Sequence, residues 1–274
     1  MRGLPFLISL AFALVLAPAL RESLLEGGFT RANYRGERLP FPFGFLIVAA
    51  ALFALIPLAL IAQLGDEAVF EPEVGAVCIY ALGIAFLGLA DDALSGPARG
   101  WRGHGATVLR GSFSTGALKA AGALGLALFV LLGRSEGTGR YLLSVAVVVL
   151  ATNLFNLLDL RPGRSVKAFV LLGLGLTLGA WDLQPLKALG LFAAPALVAG
   201  LYDVRERAML GDTGSNLVGG LAGLWLVFAL DTTGEAIALV LLIAITAYGE
   251  FRSISALVER TPGLRHLDSI GRIR

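Results

Sequence analysis

Three polar stretches interrupt an otherwise apolar sequence, and their side chains are of the types that cation and phosphate chemistry requires. They are Asp91-Asp92, the series Asn153, Asn156 and Asp159, and the glycine-rich segment Gly-Asp-Thr-Gly-Ser at 211–215. Carboxylate and amide oxygens bind hard divalent cations such as Mg²⁺. The three stretches are therefore the first candidates for a functional site.

Asp91-Asp92 places two carboxylates side by side. Adjacent like charges repel unless a cation or a proton intervenes, so the pair suits a metal ligand or a general base. The alternative is a solvated helix C-terminus, although the helix dipole disfavours anions at that end.

The segment 211–215 opens an apolar run that extends to Leu230. Its glycines let the backbone approach a ligand closely, and the free N–H groups of the following helix favour an anion. Asp212 is then placed to hold a divalent cation that bridges to a phosphate. The alternative is a helix N-cap provided by Asp212 or Thr213.

Asn153, Asn156 and Asp159 are spaced by three residues, which keeps them on one slowly drifting face of a helix. Two amides and a carboxylate on an inward face suit recognition of a nucleotide or orientation of a metal. Asparagines in an apolar helix also serve as interhelical hydrogen-bonding groups, and this alternative stays open.

A basic segment follows, in which Pro162 and Gly163 interrupt the helix and Arg164 and Lys167 come next. Arginine and lysine at this position suit a diphosphate. The alternative is the excess of positive charge that cytoplasmic loops of membrane proteins carry. Lys119 lies in the next apolar segment after Asp91-Asp92, where it either pairs with an aspartate or extends to the interface.

Composition indicates the elements that must position these residues. The 274-residue chain is 57% hydrophobic and 15% charged, with a mean hydropathy of +0.80. Soluble domains carry roughly 25% charged residues. The sequence therefore predicts an all-α, polytopic integral membrane protein that forms a single transmembrane domain over 1–274, with a short cytoplasmic tail at 257–274.

Nine apolar segments are long enough to be read as spans. They are predicted at about 3–20, 43–64, 74–90, 114–133, 140–158, 166–181, 186–202, 214–230 and 236–256. Small residues at helical spacing within them (Gly83 and Gly88, Gly173 and Gly179, Gly219 and Gly223) favour close helix packing.

Most of the 22 lysines and arginines lie in alternate loops, which places the N-terminus outside and the C-terminus in the cytoplasm. With this orientation the helix ends near 91, 159 and 212 all face the cytoplasm and form one predicted cleft. The formal charge of the whole chain is only +2, and no nucleic-acid partner is expected.

The order of these motifs resembles that of the polyprenyl-phosphate N-acetylhexosamine-1-phosphate transferases (glycosyltransferase family 4). This family includes the phospho-N-acetylmuramoyl-pentapeptide transferase and the GlcNAc-1-phosphate transferases of cell-wall synthesis. The similarity rests on Asp-Asp, Asn-x-x-Asn-x-x-Asp and Gly-Asp-Thr-Gly-Ser, in that order, and extends from Arg35 to about Gly249.

The resemblance implies a Mg²⁺-dependent reaction, with Mn²⁺ as an alternative ion, in the cytoplasmic (inner) membrane. A sugar-1-phosphate passes from a UDP-sugar to polyprenyl (undecaprenyl) phosphate, and UMP is released on the cytoplasmic side. By position, Asp212 is the metal ligand and Asp91 or Asp92 contacts the lipid phosphate as the catalytic base. The substrate-binding residues are Asn153, Asn156, Asp159, Arg164, Lys167 and Lys119, and a homodimer is expected from the resemblance alone.

The chain departs from the family pattern at two places. Leu160 and Pro162 stand where the family has a glycine and a second aspartate, and His266 is the only histidine where the family has a His-rich loop. The alternatives are therefore a non-catalytic descendant that binds lipid phosphate or a cell-wall synthesis partner, and a cation-coupled transporter. The sequence shows no internal repeat of the kind that transporters often carry.

Overall fold

The computed structural model describes residues 1–65, 68–94, 114–134 and 137–272. Over these residues the chain forms eleven helices and one short antiparallel hairpin. The elements are α1 (Leu4–Glu26), β1 (Thr30–Ala32), β2 (Arg38–Pro40), α2 (Phe45–Leu64), α3 (Val74–Leu94), α4 (Thr115–Val130), α5 (Thr138–Leu158), α6 (Arg164–Ala180), α7 (Gln184–Val204), α8 (Gly211–Ala229), α9 (Thr232–Phe251), α10 (Ile254–Arg260) and α11 (Pro262–Ser269).

The all-α prediction is confirmed, and each of the nine predicted segments coincides with one of the helices α1 to α9. Six of them, α1, α2, α3, α5, α7 and α9, are long and apolar enough to cross a membrane. The other three contain 16, 17 and 19 residues. The structure thus supports a multi-pass membrane protein, while the nine-span count and the orientation remain predictions.

Helix α8 lies at the centre of the bundle and is buried along almost its whole length. Its glycines permit this, because Gly219 and Gly223 lie directly against the backbone of α5 at Thr152 and Val148. Across the same interface the Tyr80 hydroxyl of α3 lies 3.0 Å from the Thr152 hydroxyl. The small residues predicted to allow close packing therefore do so here.

Helix α1 packs against α7 through a stripe of small residues four positions apart. Ser9, Ala13 and Ala17 are buried, and the Ser9 hydroxyl donates to the Gly190 carbonyl of α7 at 3.3 Å. Residues spaced by four lie one above another on a helix, so this face of α1 is the one that is fully buried.

Two glycines bring α2 and α3 into backbone contact with the beginning of α8. A Cβ at Gly44, just before α2, would overlap the backbone of Gly214, and a Cβ at Gly88 of α3 would overlap the backbone at Asp212. These approaches hold the end of α3 beside the beginning of α8. Of the other predicted small-residue pairs, Gly83 and Gly173 contact side chains of neighbouring helices, whereas Gly179 contacts nothing within 4 Å.

We predict that Gly88→Ala destabilises the protein by about 1–3 kcal/mol, because the added methyl group forces two helix backbones apart. Thermal unfolding in detergent would show a lower midpoint than for the natural sequence. Gly125→Ala in α4 is the matched control, since a Cβ there meets nothing within 4 Å. Equal midpoints for the two variants would refute the close approach of α3 to α8.

Candidate active site

The beginning of α8 is capped by a side chain of another helix. The carboxylate of Asp92, near the end of α3, accepts hydrogen bonds from the backbone N–H of Asp212 at 3.0 Å and of Thr213 at 2.9 Å. It also accepts from the Thr213 hydroxyl at 2.7 Å. Neither Asp212 nor Thr213 caps the helix itself. The capping alternative for these two residues is therefore wrong, and the Asp212 side chain is free of that role.

Gly211 makes the close approach of Asp92 possible. Its φ of +72° lies in the left-handed region that side chains rarely adopt. A Cβ there would also collide with Asp92, Phe41 and Pro42. Glycine is thus required at 211 for both conformation and space.

Asp91 and Asp212 converge on the ammonium group of Lys119. Its Nζ atom donates to Asp91 Oδ2 at 2.9 Å and also to Asp212 Oδ2. Of the two alternatives for Lys119, the structure shows the pairing with aspartates, and this pairing brings together helices α3, α4 and α8. All three side chains are partly open, with 15%, 27% and 20% of their surfaces exposed for Asp91, Asp212 and Lys119.

The Asn156 amide of α5 completes this cluster. With its carbonyl oxygen turned to Lys119, it accepts from Nζ at 3.1 Å and donates to Asp212 Oδ1 at 3.2 Å and to Ser215 Oγ at 3.1 Å. This assignment pairs every donor with an acceptor. We call Asp91, Lys119, Asn156 and Asp212 the acidic cluster.

The two neighbouring aspartates therefore differ in their surroundings. Only 2% of the Asp92 side chain is exposed, and the Arg31 guanidinium lies 3.9 Å from its Oδ1. Asp92 is committed to the backbone of α8, whereas the Asp91 side chain pairs with Lys119 and is 15% exposed. The geometry thus assigns the positioning of α8 to Asp92 and leaves Asp91 as the better placed of the two for ligand contact.

The oxygen atoms of the acidic cluster suit a hard cation. Two carboxylates and an amide oxygen already surround one positive charge, the ammonium of Lys119. Among the described residues, no group of three or more His, Cys, Asp or Glu side chains could hold a metal ion by itself. Mg²⁺ commonly binds through one or two carboxylates together with substrate phosphates and water. The residues therefore fit a Mg²⁺ ion shared with a phosphate ligand.

A backbone frame holds the segment that precedes α8. Phe43 N–H donates to the Met209 carbonyl at 2.7 Å, Gly44 N–H donates to the Leu210 carbonyl at 2.9 Å, and Met209 N–H donates to the Pro40 carbonyl at 2.9 Å. The β1–β2 hairpin that leads into this segment was not predicted from the sequence, since three-residue strands carry too weak a pattern.

Glu206 fastens the same hairpin to the loop between α7 and α8. Its buried carboxylate accepts from the Asn33 amide at 3.1 Å and the Tyr34 hydroxyl at 3.3 Å, and Arg35 lies 3.2 Å away. Glu206 also adopts a φ of +50°, which is unusual for a residue with a side chain. The three contacts compensate for that conformation.

The Asn153, Asn156 and Asp159 series is divided between different surroundings. Asn156 belongs to the acidic cluster, but Asn153 is exposed and lines a groove between α5 and α9 beside Thr246 and Glu250. Successive steps of three residues rotate by about −60° around a helix, so the first and last members lie about 120° apart. The structure therefore does not bring Asn153 to the cluster.

Asp159 ends α5 close to Asp203, the buried aspartate near the end of α7. Burial and the nearby charges of Asp203, Asp212 and Asp92 raise the pKa of Asp159 well above its ordinary value. Asp203 accepts from the Gly163 N–H at 2.6 Å and from the Leu210 N–H. It thus ties the α5–α6 turn to the segment before α8. Sequence reasoning missed this residue, and its one signal was a carboxylate at the end of an apolar run.

Arg164 and Lys167 are already bonded to Asp268 and do not present unpaired charges to the acidic cluster. Arg164 is buried and its guanidinium contacts the Asp268 carboxylate and the Ser255 hydroxyl. Lys167 Nζ donates to the Asp268 carbonyl at 2.6 Å. Their predicted role in substrate binding therefore requires that a ligand displace Asp268.

Comparison with protein-family models and with curated proteins gives no match to this chain. The family resemblance therefore stays a prediction that rests on the sequence motifs.

We predict that Asp92→Ala destabilises the protein on the order of 2 kcal/mol, because buried donors at the beginning of α8 lose their acceptor. Asp91→Ala should cost less than about 1 kcal/mol, since Lys119 keeps Asp212 as its partner. Thermal unfolding of the two variants measures the difference. A larger loss for Asp91→Ala would show that the pairing with Lys119, and not the cap, holds the two helices together.

Proposed function

We propose that the chain is a Mg²⁺-dependent phosphoglycosyltransferase that transfers a sugar-1-phosphate from a UDP-sugar to a polyprenyl phosphate. The observation that carries the proposal is the convergence of Asp91, Asp212 and Asn156 on one ammonium group beside a capped helix N-terminus. The order of the sequence motifs supports the same conclusion.

In the proposed reaction, an oxygen of the lipid phosphate attacks the β-phosphorus of the UDP-sugar. A new phosphorus–oxygen bond forms, the bond to the UMP oxygen breaks, and UMP leaves. Such transfers depend on alignment and on neutralisation of charge more than on covalent help from the protein. Mg²⁺, held by Asp212 and the substrate phosphates, would supply that neutralisation.

The remaining residues have distinct roles in this proposal. Asp91 contacts the lipid phosphate and takes its proton where one is present. Lys119 keeps the two aspartates from repelling each other and supplies a positive charge to the phosphates. Asp92 acts as a positioning residue, because its contacts are with the backbone of α8 and the Thr213 hydroxyl.

The proposal is tested by UMP release from purified protein with undecaprenyl phosphate, Mg²⁺ and a panel of UDP-sugars. Asp212→Asn should lower turnover by at least about 100-fold, as expected when charge stabilisation in a transition state is lost. EDTA should have a similar effect. Asp182→Asn, at an exposed aspartate between α6 and α7, is the matched control and should leave turnover unchanged.

Full turnover by Asp212→Asn would refute the assignment of Asp212 as the metal ligand. Absence of UMP release across the panel would refute the transferase proposal. It would favour the non-catalytic alternative. One observation supports that alternative: the Arg164 guanidinium is already paired with the Asp268 carboxylate. Binding of polyprenyl phosphate by the inactive protein would then be the decisive measurement.

The proposal also requires that the acidic cluster face the cytoplasm. Leu160 and Trp181 lie beyond opposite ends of α6, and both are exposed. In a Cys78→Ala background, Leu160→Cys should react with a membrane-impermeant maleimide only after cells are opened. Trp181→Cys should react in intact cells, and the reverse pattern would overturn the orientation.

A further inference from the structure

The C-terminal tail returns to the bundle through an arginine–carboxylate pair. Arg164 donates from Nε to Asp268 Oδ1 at 2.8 Å and from Nη2 to Asp268 Oδ2 at 3.0 Å. This two-point arrangement is the one by which arginine also binds phosphate. The Asp268 carboxylate therefore occupies a position that is suited to an anionic ligand.

Two further cations surround Asp268. Arg272 donates to Asp268 Oδ1 at 2.7 Å, and Lys167 donates to the Asp268 backbone carbonyl at 2.6 Å. Burial alone would raise the pKa of Asp268, but the hydrogen bonds and charges of Arg164 and Arg272 hold it below its ordinary value. The Asp268 carboxylate thus meets Arg164 and Arg272, and its backbone carbonyl meets Lys167. Because Arg272 belongs to the tail itself, we call Arg164 and Lys167 of α6 the basic cluster.

The basic cluster lies at the same end of the bundle as the acidic cluster. Arg164 begins α6, directly after the turn that follows Asp159. The Gly163 N–H in that turn is bonded to Asp203, which also accepts from Leu210 just before α8. A diphosphate would match this arrangement if one phosphate bound a cation at the acidic cluster and the other bound Arg164.

The tail is held by these polar contacts, by a hydrogen bond from Arg272 to the Pro162 carbonyl at 3.1 Å, and by partial apolar packing of Leu267 and Ile270 beside α6 and α7. No residue of α11 is buried, and Leu264, Leu267 and Ile270 are 41%, 41% and 52% exposed. An ion pair between Arg161 and Glu259, at 3.6 Å, adds a partly exposed contact. Because no residue of α11 is fully buried, a competing anion has to replace the charge contacts of Asp268 and only partial apolar packing.

We propose that the segment from Pro262 to Arg272 is an internal competitor for an anionic ligand. Its Asp268 carboxylate occupies the phosphate position of the basic cluster, and a diphosphate displaces it. The identity of that ligand as the UDP-sugar rests on the proposed function, whereas the competition itself does not. Binding of the donor is thereby coupled to release of the tail.

Inorganic pyrophosphate is the probe, and the full-length protein in detergent is the sample. The affinity for pyrophosphate, measured from thermal unfolding over a ligand titration, should be about 10-fold tighter for Asp268→Asn than for the natural sequence, because the internal competitor is weakened. Without ligand the variant should unfold at a lower temperature, since Arg164 loses its anionic partner. Asp182→Asn is the control, and sodium chloride at matched ionic strength should not restore the midpoint.

A second measurement uses the natural sequence and does not depend on the variant folding. An isolated eight-residue helix is marginal in water, so release of α11 should expose the tail to proteolysis. Pyrophosphate should therefore speed up tryptic cleavage after Arg265. Slower or unchanged cleavage would overturn the proposal, as would equal or weaker pyrophosphate affinity in Asp268→Asn, which would identify the tail as a structural support.

The transferase proposal and the internal-competitor proposal can be refuted independently. Tighter pyrophosphate binding by Asp268→Asn without UMP release in any preparation would support the competitor and refute the transferase. UMP release with unchanged pyrophosphate binding in the variant would support the transferase and refute the competitor.

Discussion

A single buried carboxylate, that of Asp92, joins the end of α3 to the beginning of α8 in the candidate site. Asp92 accepts three hydrogen bonds from the beginning of α8, two of them from backbone N–H groups that have no partner within the helix. In a region shielded from water, such groups are costly to leave unpaired. The cap holds the end of α3 against α8, and the contacts of Asp212 with Lys119 and Asn156 depend on that geometry. Gly88 is needed because no side chain fits between the two backbones, and Gly211 because a Cβ there would collide with the Asp92 carboxylate.

This arrangement explains why two adjacent aspartates are present. The Asp92 carboxylate is buried and engaged by the beginning of α8, so in the proposed function a second carboxylate serves the ligand. Asp91 supplies it from the next position in α3, and Lys119 compensates the repulsion among Asp91, Asp92 and Asp212. The structure thus gives Asp92 a positioning role, and in the proposed function Asp91 takes the ligand contact, although the sequence presents the two residues as equivalent.

Opposite charges are grouped on either side of the turn between α5 and α6. Asn156 of the acidic cluster precedes this turn, and Arg164 of the basic cluster follows it. The Asp203 carboxylate holds the turn by accepting from the Gly163 backbone N–H. In the proposed reaction, a diphosphate with its Mg²⁺ would meet both groups at once. The tail provides an internal anion for the basic side, which lowers the energetic cost of burying Arg164 while no ligand is bound.

The sequence by itself determined the helical class, the positions of the nine main helices and most of the acidic cluster. These features follow from local signals, since apolar length predicts helices and isolated polar residues in apolar segments mark sites. Only the tertiary structure decided that Asp92 caps α8, that Asn153 lies apart from Asn156, and that Asp203 and Asp268 hold the loops. The capping and loop contacts join residues distant in sequence, and a three-residue spacing does not reveal which neighbouring helix each residue faces. The partners of a buried polar group depend on which backbones meet in space, and no pattern along one segment contains that information.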